Sequence, residues 1–208
     1  MAGGWIHLIT GCMFSGKTDE MLRLIRRAEI AGRRVLLIRP AIDDRTEAGS
    51  IASRSGVAWS AKTVADSDEI PPLVSAERAS VVAIDEAQFF DDGLPGIAEL
   101  LAAEGRSVLI SGLDQDFLGR PFASMPTLLA LADQVTKLSA ICTVCGADAT
   151  RTQRMVGGRP AAADDPVIVV GGMNDDRYEA RCRAHHVVGT ARGMTSAPIW
   201  ENLPAAYE

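Results

Sequence analysis

The chain has 208 residues, of which 47% are hydrophobic, and its formal net charge is −6. A chain of this size can bury one sizeable core and leaves room for a small second domain. The acidic balance, without a run of Lys and Arg, argues against DNA or RNA as a partner. The first ten residues lack a basic region followed by a long apolar stretch, and no segment approaches the length of a membrane span. We therefore expect a cytoplasmic protein that contacts neither nucleic acid nor membrane.

Apolar segments alternate with helical ones through the first two thirds of the chain. Short apolar runs predict buried strands at residues 6–9, 35–38, 81–84 and 108–110. Apolar residues at helical spacing predict helices at residues 17–31 and 95–104, the first of which ends at Gly32. Because buried strands alternate with helices, we expect an α/β fold with a parallel, doubly wound sheet and helices on both faces.

A glycine-rich motif joins the first predicted strand to the first predicted helix. Residues 11–18 read Gly-Cys-Met-Phe-Ser-Gly-Lys-Thr and match the phosphate-binding pattern G-x-x-x-x-G-K-[ST]. In such a loop the glycines let backbone N–H groups approach the phosphates, Lys17 reaches the β and γ oxygens, and Thr18 offers its hydroxyl to Mg²⁺. An incidental glycine turn is the alternative. The residues predicted to bind the nucleotide here are Gly11, Met13, Phe14, Ser15, Gly16, Lys17 and Thr18.

Two segments depart from the alternation of strands and helices. Residues 40–56 are polar with neither periodicity, and we expect there a functional loop that is poorly ordered without ligand. After about Leu138, short strands, paired cysteines and glycine turns predict a small second domain. We therefore expect a main domain at residues 1–138, a small domain at residues 139–190 and a C-terminal tail at residues 191–208.

Two carboxylates follow the third predicted strand. Asp85 stands directly after the apolar run, where a P-loop fold needs an acid to hold the magnesium shell. Glu86 comes next, close to where a γ-phosphate and its acceptor would meet, so it is placed to take a proton or to orient the acceptor. A solvent-facing carboxylate is the alternative for Glu86. These residues indicate a phosphoryl-transfer enzyme or an ATPase, and they do not name the acceptor.

The cysteines of the last third fall into a spacing typical of metal sites. Cys142 and Cys145 form C-x₂-C, and Cys182 and His185 form C-x₂-H. Two such pairs suit a tetrahedral Cys₃His zinc site, which has no open coordination position and would be structural. His186 could replace His185, and three buried thiols with an exposed histidine are the plainer alternative. A zinc ribbon can also bind nucleic acid, although the acidic balance disfavours that function.

Several short motifs share the order found in one enzyme family. They are residues 11–18 with Met-Phe-Ser inside the loop, residues 85–90 (Asp-Glu-Ala-Gln-Phe-Phe), Gly112-Leu113-Asp114 with Phe117 and Pro121-Phe122, Cys142-x-x-Cys145, Thr152-Gln153-Arg154, Gly171-Gly172 with Tyr178, and Cys182-x-x-His185. Together they make the chain resemble the thymidine kinase family of bacteria and of the animal cytosol, over nearly its whole length. The resemblance implies a RecA-like P-loop domain joined to a zinc-ribbon domain whose long loop, a lasso, closes over thymidine.

The resemblance also implies a reaction. ATP and thymidine would give ADP and thymidine 5′-monophosphate in pyrimidine salvage, with deoxyuridine also accepted. ATP, Mg²⁺ and a structural Zn²⁺ are the implied cofactors, a homotetramer is the implied assembly, and thymidine triphosphate is the implied feedback inhibitor. Two rival functions stay open: a P-loop ATPase that drives a conformational change, and a zinc-ribbon nucleic-acid-binding module with a relict nucleotide site.

Individual residues take their roles from the same resemblance. Glu86 would accept the proton of the 5′-hydroxyl, and Gln88, Asp43 and Arg45 would join the nucleotide site. The nucleoside site would contain Met13, Leu113, Thr152 and Tyr178 around the thymine methyl group, Phe89, Phe117 and Phe122 as an aromatic wall, and a strand with Val167, Val169 and Val170 as backbone partners of the pyrimidine edge. The alternative for each apolar residue is ordinary core packing.

Overall fold

The computed structural model describes residues 3–42, 50–52, 58–168 and 176–190. The elements up to Leu138 are, in chain order, β1 (Trp5–Gly11), α1 (Lys17–Ile30), β2 (Val35–Pro40), β3 (Ser50–Ala52), β4 (Ala58–Ser60), β5 (Lys62–Val64), α2 (Ile70–Glu77), β6 (Val81–Ile84), α3 (Leu94–Ala103), β7 (Ser107–Gly112), α4 (Met125–Leu131) and β8 (Gln134–Leu138). The elements that follow are β9 (Ala140–Ile141), β10 (Asp148–Ala149), β11 (Arg151–Val156), β12 (Arg159–Pro160) and β13 (Asp176–Arg181).

Six strands form one parallel sheet in the order β5-β2-β6-β7-β1-β8. The chain moves in one direction along this sheet from β1 to β2 and β5, and in the other direction from β5 to β6, β7 and β8. Right-handed crossovers therefore place α1 on one face and α2, α3 and α4 on the other. The predicted α/β fold, with a parallel sheet and helices on both faces, is confirmed. The sequence does not predict the edge strands, because β5 has three residues and β8 is largely polar and exposed.

Two apolar layers hold the helices against the sheet. On one face, Met21 and Ile25 of α1 pack in a layer with Leu109 of β7. On the other face, Leu101 of α3 packs in a layer with Ile110 of the same strand. Successive residues of a strand point to opposite faces, so β7 serves both layers. Each of these buried aliphatic side chains stabilises the fold by about 1.5–3 kcal/mol relative to an exposed one.

The predicted helices lie where the periodicity places them, within one residue. α1 ends at Ile30 rather than at residue 31. Gly32 follows with a φ of 72°, and its N–H donates to the carbonyl oxygen of Glu29 at 2.9 Å. A glycine in the left-handed region is a common helix stop, as the sequence predicts. α3 is shifted by one residue towards the N-terminus, since it begins at Leu94.

The elements after Leu138 form two small antiparallel sheets. β9 pairs with β10, and β11 pairs with β12 on one side and β13 on the other. Gly157 and Gly158 connect β11 to β12 with φ values of 54° and 77°. A two-residue hairpin turn with positive φ at both positions favours glycine, which explains the glycine pair. The predicted division into domains near Leu138 stays a prediction.

Some expectations fall outside the described residues or are corrected by them. Those outside the described residues include Asp43, Arg45, Val169, Val170 and the segment from residue 191. The polar segment at residues 40–56 contains the strand β3, which pairs with β4. Val167 and Ile168 are not in a strand, so the strand predicted at residues 167–170 is wrong at its first two positions. No helix in the described part of the chain is both long and apolar enough to cross a membrane.

Candidate active site

The phosphate-loop motif lies between β1 and α1 with the backbone that a phosphate cradle requires. Gly11 and Gly16 have φ values of 145° and 87°. A Cβ atom at Gly11 would lie 2.3 Å from the carbonyl oxygen of Leu138, so both conformation and space require glycine there. Lys17 donates from Nζ to the carbonyl oxygen of Cys12 at 2.9 Å. The lysine side chain therefore spans the loop that it is expected to serve.

Groups in this loop fit the triphosphate of ATP. The hydroxyl oxygen of Ser15 is buried and has no hydrogen-bond partner among the described residues, an arrangement that is unfavourable unless a ligand satisfies the hydroxyl. The N-cap of α1 is Gly16 and supplies no side-chain cap, so the first N–H groups of the helix are open to an anion. Burial lowers the pKa of Lys17, while the charges of Glu86 and Asp85 act to raise it. A bound phosphate would also favour the charged lysine.

Asp85 follows β6. Because the carboxyl ends of parallel strands lie at the same end of a sheet, Asp85 lies at the end that carries the phosphate loop. It is buried, and its Oδ1 accepts hydrogen bonds from the hydroxyl of Ser111 and the N–H of Glu86. Burial, reinforced by the charge of Glu86, raises the pKa of Asp85 to about 7. A cation beside the carboxylate would lower the pKa of Asp85 again, so this buried acid fits Mg²⁺.

Glu86 comes directly after Asp85 in a left-handed backbone conformation, with φ 51° and ψ 45°. Such a conformation is uncommon for a residue other than glycine and is typical of functional positions. The Glu86 carboxylate accepts a hydrogen bond from the side-chain amide of Gln88, whose oxygen accepts the N–H of Leu113 at 2.9 Å. Glu86 itself is only partly buried. The carboxylate is therefore held in one place and still accessible to a reactant.

The aromatic residues expected at the nucleoside site are brought together in part. The rings of Phe89 and Phe122 meet edge to face, with centroids 6.0 Å apart. The guanidinium of Arg154 lies 5.5 Å from the ring centroid of Phe117, and Arg154 forms a buried ion pair with Asp176 at 2.8 Å. Phe117 and Phe122 are buried, whereas Phe89 is partly exposed. Of the three rings, Phe89 therefore has the most surface available to a base.

Met13 of the phosphate loop and Thr152 of β11 are in direct contact. The backbone N–H of Met13 donates to the hydroxyl oxygen of Thr152 at 3.1 Å. Thr152 pairs with Ala180, and Arg154 pairs with Tyr178, in the ladder between β11 and β13. Directly opposite residues, and residues two apart on one strand, share a face of a sheet. Thr152 and Tyr178 are therefore on the same face, and Met13 is bound to it.

The cysteine pairs and one histidine converge at the start of the small sheets. Ligating atoms within 4.8 Å of one another come from Cys142, Cys145, Cys182 and His185. Burial would raise the pKa of Cys142, but hydrogen bonds from backbone N–H groups outweigh it and lower the pKa to about 6, which favours the thiolate. His186 instead places Nε2 2.8 Å from the carbonyl oxygen of Phe117, so His185 is the histidine of the cluster. Three sulfurs and one imidazole nitrogen fit Zn²⁺.

Sequence reasoning misses some residues that build this end of the sheet. Ser111 donates to Asp85, and the available signal for it is a polar residue inside an apolar strand. The thiol of Cys12 donates from Sγ to the carbonyl oxygen of Ala149 at 3.2 Å, and no sequence pattern points to that contact. Conversely, Val167 is 37% exposed and lies outside the described strands, and its expected role as a backbone partner of the base stays a prediction.

A family model and two relatives named for the same enzyme agree with these features. The family model described as thymidine kinase matches residues 4–186. A thymidine kinase of Coprothermobacter proteolyticus is 55% identical over 186 residues, which cover 89% of this chain and 91% of the relative. A thymidine kinase of Halobacterium salinarum is 50% identical over 189 residues, which cover 89% of this chain and 95% of the relative. The X-ray structure of the Legionella pneumophila ATPase DotB is a more distant likeness, with a TM-score of 0.44 and 14% identity over 71% of this chain and 44% of that one. This chain belongs to the thymidine kinase family.

Proposed function

We propose that this protein is an ATP-dependent thymidine kinase, which transfers the γ-phosphate of ATP to the 5′-hydroxyl of thymidine. One observation carries the proposal. A phosphate loop, the buried Asp85 and the held but accessible Glu86 all lie at the carboxyl ends of the parallel strands. This arrangement supports phosphoryl transfer. Membership of the thymidine kinase family supports thymidine as the acceptor.

The residues at this end of the sheet divide the chemistry between binding and proton transfer. Lys17 and the open N–H groups at the start of α1 bind the phosphate oxygens. The 5′-oxygen of thymidine forms a bond to the γ-phosphorus, and Glu86 accepts the proton that the hydroxyl loses. The bond from the γ-phosphorus to the bridging oxygen breaks, and ADP leaves with that oxygen and its electron pair. Positioning and charge neutralisation supply most of the rate.

Asp85 and Thr18 are the residues that would hold Mg²⁺ at this site. Asp85 is buried and its pKa is raised, so the carboxylate is better accommodated beside a cation than without one. When bound, Mg²⁺ neutralises part of the phosphate charge. Gln88 completes the nucleotide site in this proposal, together with Asp43 and Arg45, which lie outside the described residues.

The nucleoside site of this proposal lies beside Glu86. Met13, Thr152 and Tyr178 supply a surface for the thymine methyl group, since the first two are in contact and the last two share a face. The remaining residues proposed for this site are Phe89, Leu113, Phe117, Phe122 and Val167, with Val169 and Val170 in the part of the chain that is not described. Apolar packing against one methyl group discriminates by only about 1–3 kcal/mol. Deoxyuridine, which lacks the methyl group, is therefore proposed as a weaker second substrate.

A zinc ion in the four-residue cluster would be structural. Three cysteines and His185 fill all positions of a tetrahedral site and leave none for a substrate. The homotetramer, feedback inhibition by thymidine triphosphate, the cytoplasmic location and the place in pyrimidine salvage are proposed from the family resemblance alone.

An ADP-release assay with MgATP tests the proposed function. Thymidine, deoxyuridine, deoxycytidine and deoxyadenosine are compared with a reaction that lacks nucleoside, and the product is identified by mass. We expect release to depend on thymidine, less strongly on deoxyuridine, and to yield thymidine monophosphate. The Lys17→Ala variant serves as the control for contaminating kinases. ADP release without nucleoside would support the ATPase alternative, and retention on DNA at low salt without any product would support the nucleic-acid-binding module; either result overturns the proposal.

A further inference from the structure

A hydrogen bond links the phosphate loop to a strand far away in the sequence. The N–H of Met13 donates to Oγ1 of Thr152 at 3.1 Å, across 139 positions of the chain. Met13 lies inside the loop whose backbone N–H groups serve the phosphates, whereas Thr152 lies in β11 and is 3% exposed. Because the threonine is buried in a strand, its hydroxyl is a fixed acceptor rather than a mobile one. The peptide group between Cys12 and Met13 is therefore fixed by the side chain of Thr152, in the three-stranded sheet.

The neighbouring residue of the loop is attached to the same part of the protein. Cys12 is buried in an apolar cluster with Ala140, Ala149 and Ala180, and its thiol donates to the carbonyl oxygen of Ala149 at 3.2 Å. Ala180 is the strand partner of Thr152. Two consecutive residues of the phosphate loop thus contact the small sheets. Cys12 does so through packing and a weak hydrogen bond from its thiol, and Met13 through a hydrogen bond to the Thr152 hydroxyl.

The face that holds Met13 is also the face that carries residues of the proposed nucleoside site. Thr152 and Arg154 are two apart on β11, and Tyr178 stands opposite Arg154 on β13. Arg154 in turn lies over the ring of Phe117. Thr152 therefore binds the phosphate loop and shares a face with Tyr178 of the surface assigned to the base.

We propose that the hydroxyl of Thr152 is a positioning group for the phosphate loop. It orients the Met13 peptide so that the other loop N–H groups face the nucleotide, and its loss weakens the binding of ATP. This is a second role for Thr152, separate from contact between its methyl group and the base. The inference rests on the proposed nucleotide site, and it does not require that thymidine be the acceptor.

Three substitutions at this position separate the hydroxyl from the methyl group. Thr152→Val keeps the branched shape and removes the acceptor, whereas Thr152→Ser keeps the acceptor and removes the methyl group. Thr152→Ala differs from the serine variant by the hydroxyl alone, so the serine and alanine pair repeats the comparison if the valine variant does not fold. The affinity for ATP is measured by calorimetry without nucleoside, and kcat and KM are measured for both substrates.

The positioning role predicts a specific pattern among these variants. We expect Thr152→Val to weaken ATP binding about tenfold, since a net hydrogen bond is worth about a factor of ten, and Thr152→Ser to retain the ATP affinity of the unmodified protein within about twofold. Thr152→Ala should bind ATP as weakly as the valine variant. ATP affinity that is unchanged in both the valine and alanine variants would overturn the inference. If thymidine proves not to be the substrate, loss of ATP binding in these two variants would still support it.

Discussion

Gln88 donates a hydrogen bond from its side-chain amide to the carboxylate of Glu86. The amide is itself fixed, because it is 1% exposed and its oxygen accepts the N–H of Leu113 at 2.9 Å. A Cβ atom at Gly112 would lie 2.8 Å from that oxygen, so the strand end leaves the glutamine little freedom to move. The chain thus holds Glu86, at the end of one strand, through a contact with the end of the neighbouring strand.

Replacing Gln88 by alanine tests this contact. We expect kcat to fall roughly 10- to 100-fold, because a carboxylate displaced by about 1 Å loses alignment with the reacting hydroxyl, while the KM for thymidine changes much less. Steady-state kinetics with thymidine as the varied substrate measure both quantities. Gln134→Ala, in the exposed strand β8, is the matched control. An unchanged kcat in Gln88→Ala would show that Glu86 needs no such support.

Replacing Glu86 by glutamine removes the proposed proton acceptor and keeps the size of the side chain. We expect kcat to fall about 10²- to 10⁴-fold, the usual contribution of general base catalysis. Binding of ATP and of thymidine, measured by calorimetry, should stay close to that of the unmodified protein, since the proposed phosphate contacts come from other residues. Glu99→Gln, an exposed position in α3, controls for the loss of one charge. Full turnover in Glu86→Gln would remove this residue from the mechanism.

The strongly periodic parts of this fold could be predicted from the sequence, and the weakly periodic parts could not. β6 is an uninterrupted apolar run, and α1 shows a clear buried face with Met21 and Ile25, so both elements stand out. β5 and β8 have neither an apolar run nor a clean alternation. At an edge of the sheet, a strand can form from residues that carry little signal, because pairing with one neighbour is enough to hold it.

The motifs of the site can be recognised in the sequence because their residues lie a few positions apart, whereas its long-range contacts leave no such pattern. The distance in sequence between Ser111 and Asp85 is 26 positions, and no local pattern relates the two. The choice between His185 and His186 shows the same limit, since adjacent histidines are chemically alike. Only the fold distinguishes them, because it turns the ring of His186 towards the carbonyl oxygen of Phe117.

The stability of the ligand-free protein should depend on pH through Asp85. Burial and the charge of Glu86 raise the pKa of this carboxyl from 3.8 to about 7, so the folded protein holds a proton that the unfolded chain releases. Stability from this group is therefore present below about pH 4 and is lost as the pH rises towards 7. The contribution is on the order of a few kcal/mol, and it is lost between about pH 4 and pH 7.

The Asp85→Asn variant isolates this effect, because it keeps the oxygen that accepts from Ser111 and removes the ionisation. We expect the variant to gain stability relative to the unmodified protein as the pH rises from 5 to 8, in buffer without Mg²⁺ or nucleotide. Chemical denaturation at each pH measures the difference, and no chelator is added because it would also remove any zinc held by the four-residue cluster. Asp92→Asn, at an exposed position, should show no such trend. A difference that is the same at every pH would contradict the assignment of a buried, proton-holding carboxyl.

The four-residue cluster can be tested by comparing two cysteines that both neighbour Cys182 but are predicted to differ in role. Cys145 belongs to the cluster and is exposed, so replacing it by alanine removes a metal ligand and little packing. Cys12 is buried beside Cys142 and Cys182, yet its thiol donates to a carbonyl oxygen and it is outside the ligand set.

We expect the unmodified protein to contain one zinc ion per chain, Cys145→Ala to lose it and Cys12→Ala to keep it, as measured by atomic absorption. Structural zinc contributes to folding directly. Cys145→Ala should therefore unfold at a temperature lower by at least about 5 °C, because 1 kcal/mol moves the midpoint by about 2–4 °C in a chain of this size. The lower unfolding temperature cannot come from lost packing, since the removed thiol is exposed. Zinc retained in Cys145→Ala, or lost in Cys12→Ala, would contradict the ligand set, because the spacing and the geometry both place the first thiol in the cluster, whereas the geometry alone places the second at Ala149.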